Sequence, residues 1–251
     1  MHLLAQTANA GLSLQFSGNS PLESLTLYTF FVAMIAMGAG AAFFTLMLFR
    51  GDLDSEQYTV VTLSAVICGI ACVNYHQMTG VYQSTGGDFP TALRYIDWLL
   101  TTPLLLLTFP LLLGLGWDSI KVFLQLVLLD VAMIVLAFVA EIAPAGSETW
   151  WLYFVLSCLC EGLILVTLFF SLQEAIHDAP DALASSLKAM RLFILIGWAI
   201  YPIGFLLALS GNGASREVIY NVADVVNKVG FGLVVHSGII SSIGGAGWGR
   251  R

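Results

Sequence analysis

Charge is what this chain has least of. Only 10% of its residues are Asp, Glu, Lys or Arg, against about 25% in soluble globular domains, which excludes an ordinary water-soluble domain. Basic residues are scarcer than acidic ones, 9 against 16, and the formal net charge of −7 excludes nucleic acid as a partner. Cysteine is limited to Cys68, Cys72, Cys158 and Cys160, all inside apolar stretches. Disulfides do not form at that depth, and no His or carboxylate lies at ligand spacing, so no metal is expected. The four read as small packing residues. Strand-type alternation, internal repeats and low-complexity runs are missing. The opening MHLLAQTANA has no basic start and no long apolar core, so it makes a poor signal peptide.

What the chain has is apolar length. It is 58% hydrophobic, with a mean hydropathy of +0.88. Stretches of about 20 residues, each enough to cross a bilayer, fall at roughly 25–49, 60–78, 90–113, 120–140, 150–172, 187–209 and 218–240. The predicted fold is an all-α membrane protein, one seven-transmembrane helix bundle over 21–245. Residues 1–20 read as an extracellular N-terminal tail and 246–251 as a short cytoplasmic tail. Arg50, Lys121, Lys188, Arg191, Arg250 and Arg251 fall on one side of such a bundle, and Arg216 alone falls in a loop on the other. Basic residues favour the cytoplasmic side. The N-terminus is therefore placed outside, the C-terminus in the cytoplasm, and the chain in the inner (plasma) membrane of the cell as a multi-pass protein.

Inside these stretches each ionisable residue is informative. Lys228 sits in NVADVVNKVGFGLVV. Burying its ammonium in hydrocarbon costs at least about 2.5 kcal/mol. Asp224 lies one helical turn earlier on the same face. A buried lysine nitrogen with a nearby anion is the setting for a Schiff base to an aldehyde. Arg94 and Asp97, three apart on the third stretch, can pair, and Thr101 follows on the same face. Asp130 and Glu161 are further acids within spans. His76 and His236 lie nearer span ends, and Glu141 ends the fourth span and reaches water.

RYIDWLLTTPLLL (94–106), GWAIYP (197–202) and the Asp224/Lys228 helix together resemble the microbial rhodopsins, within their proteorhodopsin and xanthorhodopsin branch. The resemblance implies seven helices around all-trans retinal on Lys228. It implies Asp97 as counterion and proton acceptor, Asp224 as second counterion, Arg94 as the gate toward the outside, and Thr101 hydrogen-bonded to Asp97. Trp98 and Trp198 would sandwich the polyene, Tyr201 would hydrogen-bond Asp224, and Tyr95, Thr102, Leu105, Ser157 and Pro202 would line the pocket. In this branch leucine at the position of Leu105 goes with green absorption. A homo-oligomer, trimer to pentamer, in the lipid bilayer is implied. Phe154 stands where an antenna carotenoid requires glycine, so no carotenoid is expected.

The chain departs from the branch at several positions. The proton donor of these pumps is a carboxylic acid eleven residues after the acceptor; here that position is Thr108. Eleven residues span roughly 16 Å along a helix, the right depth for a donor, but a hydroxyl supplies no proton at neutral pH. The branch often sets a histidine of the second helix against the counterion. An ungapped match puts Asn74 there, with His76 about 200° further around the helix; only a local distortion would bring His76 back. The bland reading of His76 is an interfacial or intersubunit residue. Asp130 is expected to be protonated, bonded to Thr102 and near the retinal ring. Glu161 matches a ring-pocket position and can equally face a helix contact.

The resemblance implies a light-driven outward proton pump, a transporter and not an enzyme. A photosensor signalling to a partner is the alternative, and an inward proton pump a further one that Asp224 counts against. With no donor acid, refilling comes from cytoplasmic water or another residue. His236, eight residues beyond Lys228, is a candidate, though a surface histidine at a helix end is its plainer reading. Recovery of the deprotonated pigment is therefore expected to slow as pH rises, and Thr108→Glu to make it faster and less pH-dependent. Flash photolysis of parent and variant checks this; fast, pH-independent recovery in the parent would mean an internal donor exists.

Overall fold

The computed structural model describes residues 20–114 and 117–248. Its helices long and apolar enough to cross a membrane are seven: Pro21–Met47, Ser55–Thr85, Thr91–Leu113, Ile120–Ile142, Glu148–Ser171, Asp181–Leu209 and Gly213–Ser241. They are called here the first to seventh helices. The expected tails at 1–20 and 246–251 fall almost wholly outside the residues whose side chains are described.

Helix starts and stops follow local chemistry. Ser20 and Glu23 form a reciprocal capping box, with Pro21 in the first turn, and Asp54 and Gln57 form another at the second helix. Gly86 (φ 76°) and Gly114 (φ 59°) end the second and third helices in the left-handed conformation that glycine adopts without steric cost. These caps explain why the second helix exceeds its apolar 60–78 core at both ends. Short connections alternate between the two ends of the bundle. Those at 48–54 and 172–180 share one end, with Arg50, Lys121, Lys188 and Arg191. Those at 86–90, 143–147 and 210–212 share the other.

Arg216 corrects the sequence reading. It lies in the first turns of the seventh helix, not in a loop, and is buried. Paired carboxylates, described below, neutralise it there. Glu141, expected to reach water, is one of those partners.

The bundle's surface is apolar, and its ionisable groups are gathered within a largely apolar core. Val32, Ile35, Leu128, Val155, Ile196 and Val222 are exposed on its surface, while Arg94, Asp97, Asp130, Glu217, Asp224 and Lys228 are buried. A lipid-facing surface needs that arrangement, since helices satisfy their own backbone groups and leave no polar group facing hydrocarbon. Close approach of backbones draws the helices together. A Cβ on Gly40 would lie 3.2 Å from Cys68 Sγ, and one on Gly38 3.2 Å from Cys72 Sγ, so the thiols of this pair act as packing groups. Among the described residues three π segments interrupt the α-helical hydrogen bonding: Thr167–Ser171 in the fifth helix, Phe193–Gly197 in the sixth and Val226–Gly230 in the seventh.

Gly204 lies against Tyr220, where a Cβ would sit 2.3 Å from the ring. Gly204→Ala is therefore expected to destabilise the bundle by about 1–3 kcal/mol through overpacking. Gly69 has nothing within 4 Å of that position, and Gly69→Ala is expected to be neutral or stabilising by about 0.5–1 kcal/mol. Thermal denaturation of the two purified variants checks the contrast.

Candidate functional site

A cavity opens between the third to seventh helices. Apolar and aromatic side chains make up most of its lining, as in cofactor pockets. Lys228 is in its wall, and so are Tyr95, Trp98, Thr102 and Leu105 of the third helix, Ser157 of the fifth, and Trp198, Tyr201 and Pro202 of the sixth. All of these were expected there from sequence. Glu161 is in the wall as well, which places it on the pocket side of its helix. Phe154 lines the same cavity and stacks on Phe205, ring centroids 5.2 Å apart and planes 9° apart.

Lys228 Nζ stands 2.9 Å from Asp97 Oδ2 and 3.2 Å from Asp224 Oδ2, all three side chains buried. The carboxylates differ in their other partners. Asp224 accepts from Tyr201 Oη (2.5 Å), Tyr75 Oη (2.8 Å) and Trp98 Nε1 (3.1 Å). Asp97 has no hydroxyl or N–H donor on either oxygen among the described residues, so the ammonium is its one close partner. Thr101 was expected on that carboxylate. Its hydroxyl donates instead to the Asp97 backbone carbonyl at 2.8 Å, the usual bond of a helical threonine to the residue one turn before.

Asp130 does not line the cavity. It lies fully buried behind Thr102, with Thr102 Oγ1 2.8 Å from Asp130 Oδ2 and 2.8 Å from the Trp98 carbonyl. Thr102 has one hydroxyl proton for these two acceptors, given to one of them or shared between them.

Arg94 corrects another expectation. Its guanidinium does not close on Asp97. Nη2 donates to Glu217 Oε2 (2.7 Å) and Asn221 Oδ1 (2.8 Å), and Nη1 lies 4.0 Å from Asp224 Oδ2. A helical side chain leans toward the helix N-terminus. Arg94 precedes Asp97, so its long side chain is carried away from that carboxylate and toward the start of the seventh helix. The faces of Phe30 and Tyr220, 5.4 and 5.6 Å from the guanidinium carbon, complete its surroundings. The charges continue outward: Arg216 binds Glu217 Oε1 at 3.0 Å and Glu141 Oε1 at 2.6 Å.

Sequence reasoning missed Glu217, Asn221, Asn227 and Tyr75. The first two carry a readable signal, because 217, 221, 224 and 228 fall at i, i+4, i+7 and i+11, one stripe of a helix. Tyr75 lay hidden in a helix whose buried face is mostly apolar. The second helix is continuous, so nothing brings His76 inward; His76 is exposed, and Asn74 donates to its own helix at the Ile70 carbonyl. Thr108 is buried with its hydroxyl on the Leu105 carbonyl at 2.6 Å. His236 is half-buried, edge-on to Phe43 at 5.4 Å, not a fully exposed surface residue. Among the described residues no group of three His, Cys, Asp or Glu is gathered as a metal site requires.

Similar proteins match over most of the chain's length. The family profile "Bacteriorhodopsin-like protein" matches residues 25–242. A green-light absorbing proteorhodopsin from Gamma-proteobacterium EBAC31A08 is 34% identical over 224 residues, 87% of this chain and 88% of that protein. The crystal structure of Exiguobacterium sibiricum rhodopsin superposes with a TM-score of 0.79 at 38% identity, covering 87% of this chain and 97% of that one. The structure of xanthorhodopsin, titled a light-driven ion pump with dual chromophore, superposes with a TM-score of 0.83 at 28% identity over 91% and 97% of the two chains.

Glu217 is the nearest carboxylate to a buried arginine. Glu217→Ala leaves that cation without its closest anion and is expected to cost about 3–5 kcal/mol. Glu217→Gln keeps an acceptor for Arg94 and should cost less. Thermal denaturation ranks the pair; equal stability of Glu217→Ala and the parent would contradict the pairing.

Proposed function

The chain belongs to the bacteriorhodopsin-like family, and from that membership we propose that it is a light-driven pump that moves protons outward across the cell membrane, with all-trans retinal held on Lys228. The observation that carries the reading is one buried amine set between two carboxylates in the wall of a cavity lined by aromatic rings.

The residues fit the cofactor of this family. Trp98, Trp198 and Tyr201 offer flat apolar walls, Leu105 and Pro202 complete them, and Lys228 is the one amine in the lining. Bound there, retinal supplies light absorption and a light-driven change of shape. The protein supplies the rest. Asp97 and Asp224 hold a cationic nitrogen at Lys228 in a medium that would otherwise expel the charge. Asp97 is the proton acceptor in this proposal. It depends on the nitrogen alone, so transfer neutralises donor and acceptor together and leaves no unpaired charge between them. Asp224 keeps its three donors through that step and stays a fixed anion.

The outward direction is supported by what lies on either side of Lys228. Toward the 210–212 end runs the sequence Arg94, Glu217, Arg216, Glu141, alternating in charge and nearly contiguous. A proton leaving Asp97 meets carboxylates along that line. Arg94, held on Glu217 and Asn221, is the gate at the head of that line. Toward the opposite end stands Thr108, with no acid in the donor position. Arg50, Lys121 and Lys188 at that end support reading it as the cytoplasmic one, by the bias of basic residues. We further infer that Phe154, stacked on Phe205, closes the face an antenna carotenoid would need, and that the pump works as a small homo-oligomer. A photosensor is the second reading, and Thr108 favours it, since a slow refill suits signalling better than flux.

Two variants test the proposal by colour. Lys228→Ala is expected to give colourless protein under conditions that pigment the parent, and a retained, opsin-shifted visible band would sink the assignment. Asp97→Asn is expected to red-shift the pigment at neutral pH and to stop outward pumping, because the acceptor's charge no longer stabilises the ground state. An unshifted spectrum with pumping intact refutes Asp97 as acceptor.

A further inference from the structure

Asn227 immediately precedes Lys228 inside the π segment Val226–Gly230 and is buried. Its amide does not serve its own helix. Nδ2 donates to the Gly197 carbonyl of the sixth helix at 3.0 Å and lies 3.3 Å from Tyr201 Oη. Gly197 is the last residue of the sixth helix's own π segment, Phe193–Gly197. Two irregular turns on neighbouring helices are therefore tied by one side chain.

The approach leaves no slack. A Cβ on Gly197 would lie 1.9 Å from Asn227 Oδ1, so only glycine allows it. A second contact joins the same two segments: Phe193 packs on Gly230, where a Cβ would stand 3.2 Å from the ring. A π turn sits among α turns with one residue too many, which makes it the place where a helix shifts register or bends. The residue after Gly197 is Trp198, in the cavity wall, and the residue after Asn227 is Lys228.

We propose that Asn227 is a positioning residue that transmits movement at Lys228 to the sixth helix. The inference rests on retinal being attached at Lys228. A change of shape there displaces the Lys228 backbone, and the backbone of Asn227 with it. The amide then draws on, or lets go of, the Gly197 carbonyl. The sixth helix bends at its π segment and moves its 181–192 arm, at the end of the bundle where Thr108 provides no acid and water must enter to refill the nitrogen. The same amide also reaches Tyr201, which donates to Asp224 at 2.5 Å, so the tie senses the counterion as well as the lysine. A residue that merely filled space would give stability and no such coupling.

The test measures coupling directly. Spin labels are placed through Glu56→Cys and Lys188→Cys, exposed positions on the second and sixth helices at one end of the bundle, in full-length pigment whose native cysteines are replaced by alanine. Their separation is read in the dark and after illumination, alongside the flash-induced absorption change. The parent is expected to change separation on illumination. Asn227→Ala is expected to keep the flash-induced absorption change while the change in separation falls by at least half. Asn227→Ser, whose short hydroxyl cannot span to Gly197, is read the same way if the alanine variant yields no pigment. An undiminished change in separation in the variant that forms pigment overturns the inference, as does a parent whose labels do not move. Failure of both variants to form pigment also overturns it, because Asn227 would then hold the site together and not couple it. A parent that takes up no retinal sinks the functional reading instead, so the two failures are distinguishable.

Discussion

A lysine ammonium inside a lipid-facing bundle must be matched by negative charge, and much of this structure is arranged around that requirement. Asp97 and Asp224 supply two carboxylates for one cation. Two anions against one cation need a further positive charge nearby, and Arg94 supplies it 4.0 Å from Asp224. Arg94 in turn is buried and draws in Glu217, which draws in Arg216, which draws in Glu141. The chain of compensation ends only where the bundle meets its connections. Removing one member leaves its neighbour as an uncompensated buried charge, the costliest kind of defect in such an interior.

The carboxylate pair gains its asymmetry from hydrogen bonds. Tyr75, Tyr201 and Trp98, from three different helices, converge on Asp224, while Asp97 faces the amine alone. The bundle thus has one fixed anion and one anion free to be neutralised. Close packing holds that difference in place. Gly204 admits Tyr220 and Gly197 admits Asn227, and Tyr220 donates to the Tyr201 carbonyl at 2.6 Å. Small residues on the sixth helix are what let the polar groups of the seventh reach their partners.

Much of this was legible in the residues. Helix number and order follow from apolar length, and Lys228, Asp97, Asp224 and most of the pocket follow from three motifs on the third, sixth and seventh helices. What stayed hidden depended on direction, not identity. Arg94 and Asp97 share a face, so spacing suggested a pair; the lean of a helical side chain toward its N-terminus separates them. Arg216 and Glu141 looked like loop and end residues because each was weighed alone, and only their pairing makes burial tolerable. Thr101 could bond a carboxylate or a carbonyl, and spacing serves both equally. Glu217 and Asn221 lay on the readable stripe with Asp224 and Lys228. Asn227 had no such signal, because its partner is a backbone carbonyl exposed by a glycine on another helix.

The central claim is that light drives protons from Lys228 toward the Glu217 and Glu141 end of the bundle and out of the cell. Its most direct test is the pH of an unbuffered suspension of cells that express the chain and are supplied with retinal. Illumination is predicted to acidify the medium, and a protonophore to abolish the change. Alkalinisation abolished by the protonophore would reverse the direction, and no light-dependent change in pigmented cells would contradict pumping altogether.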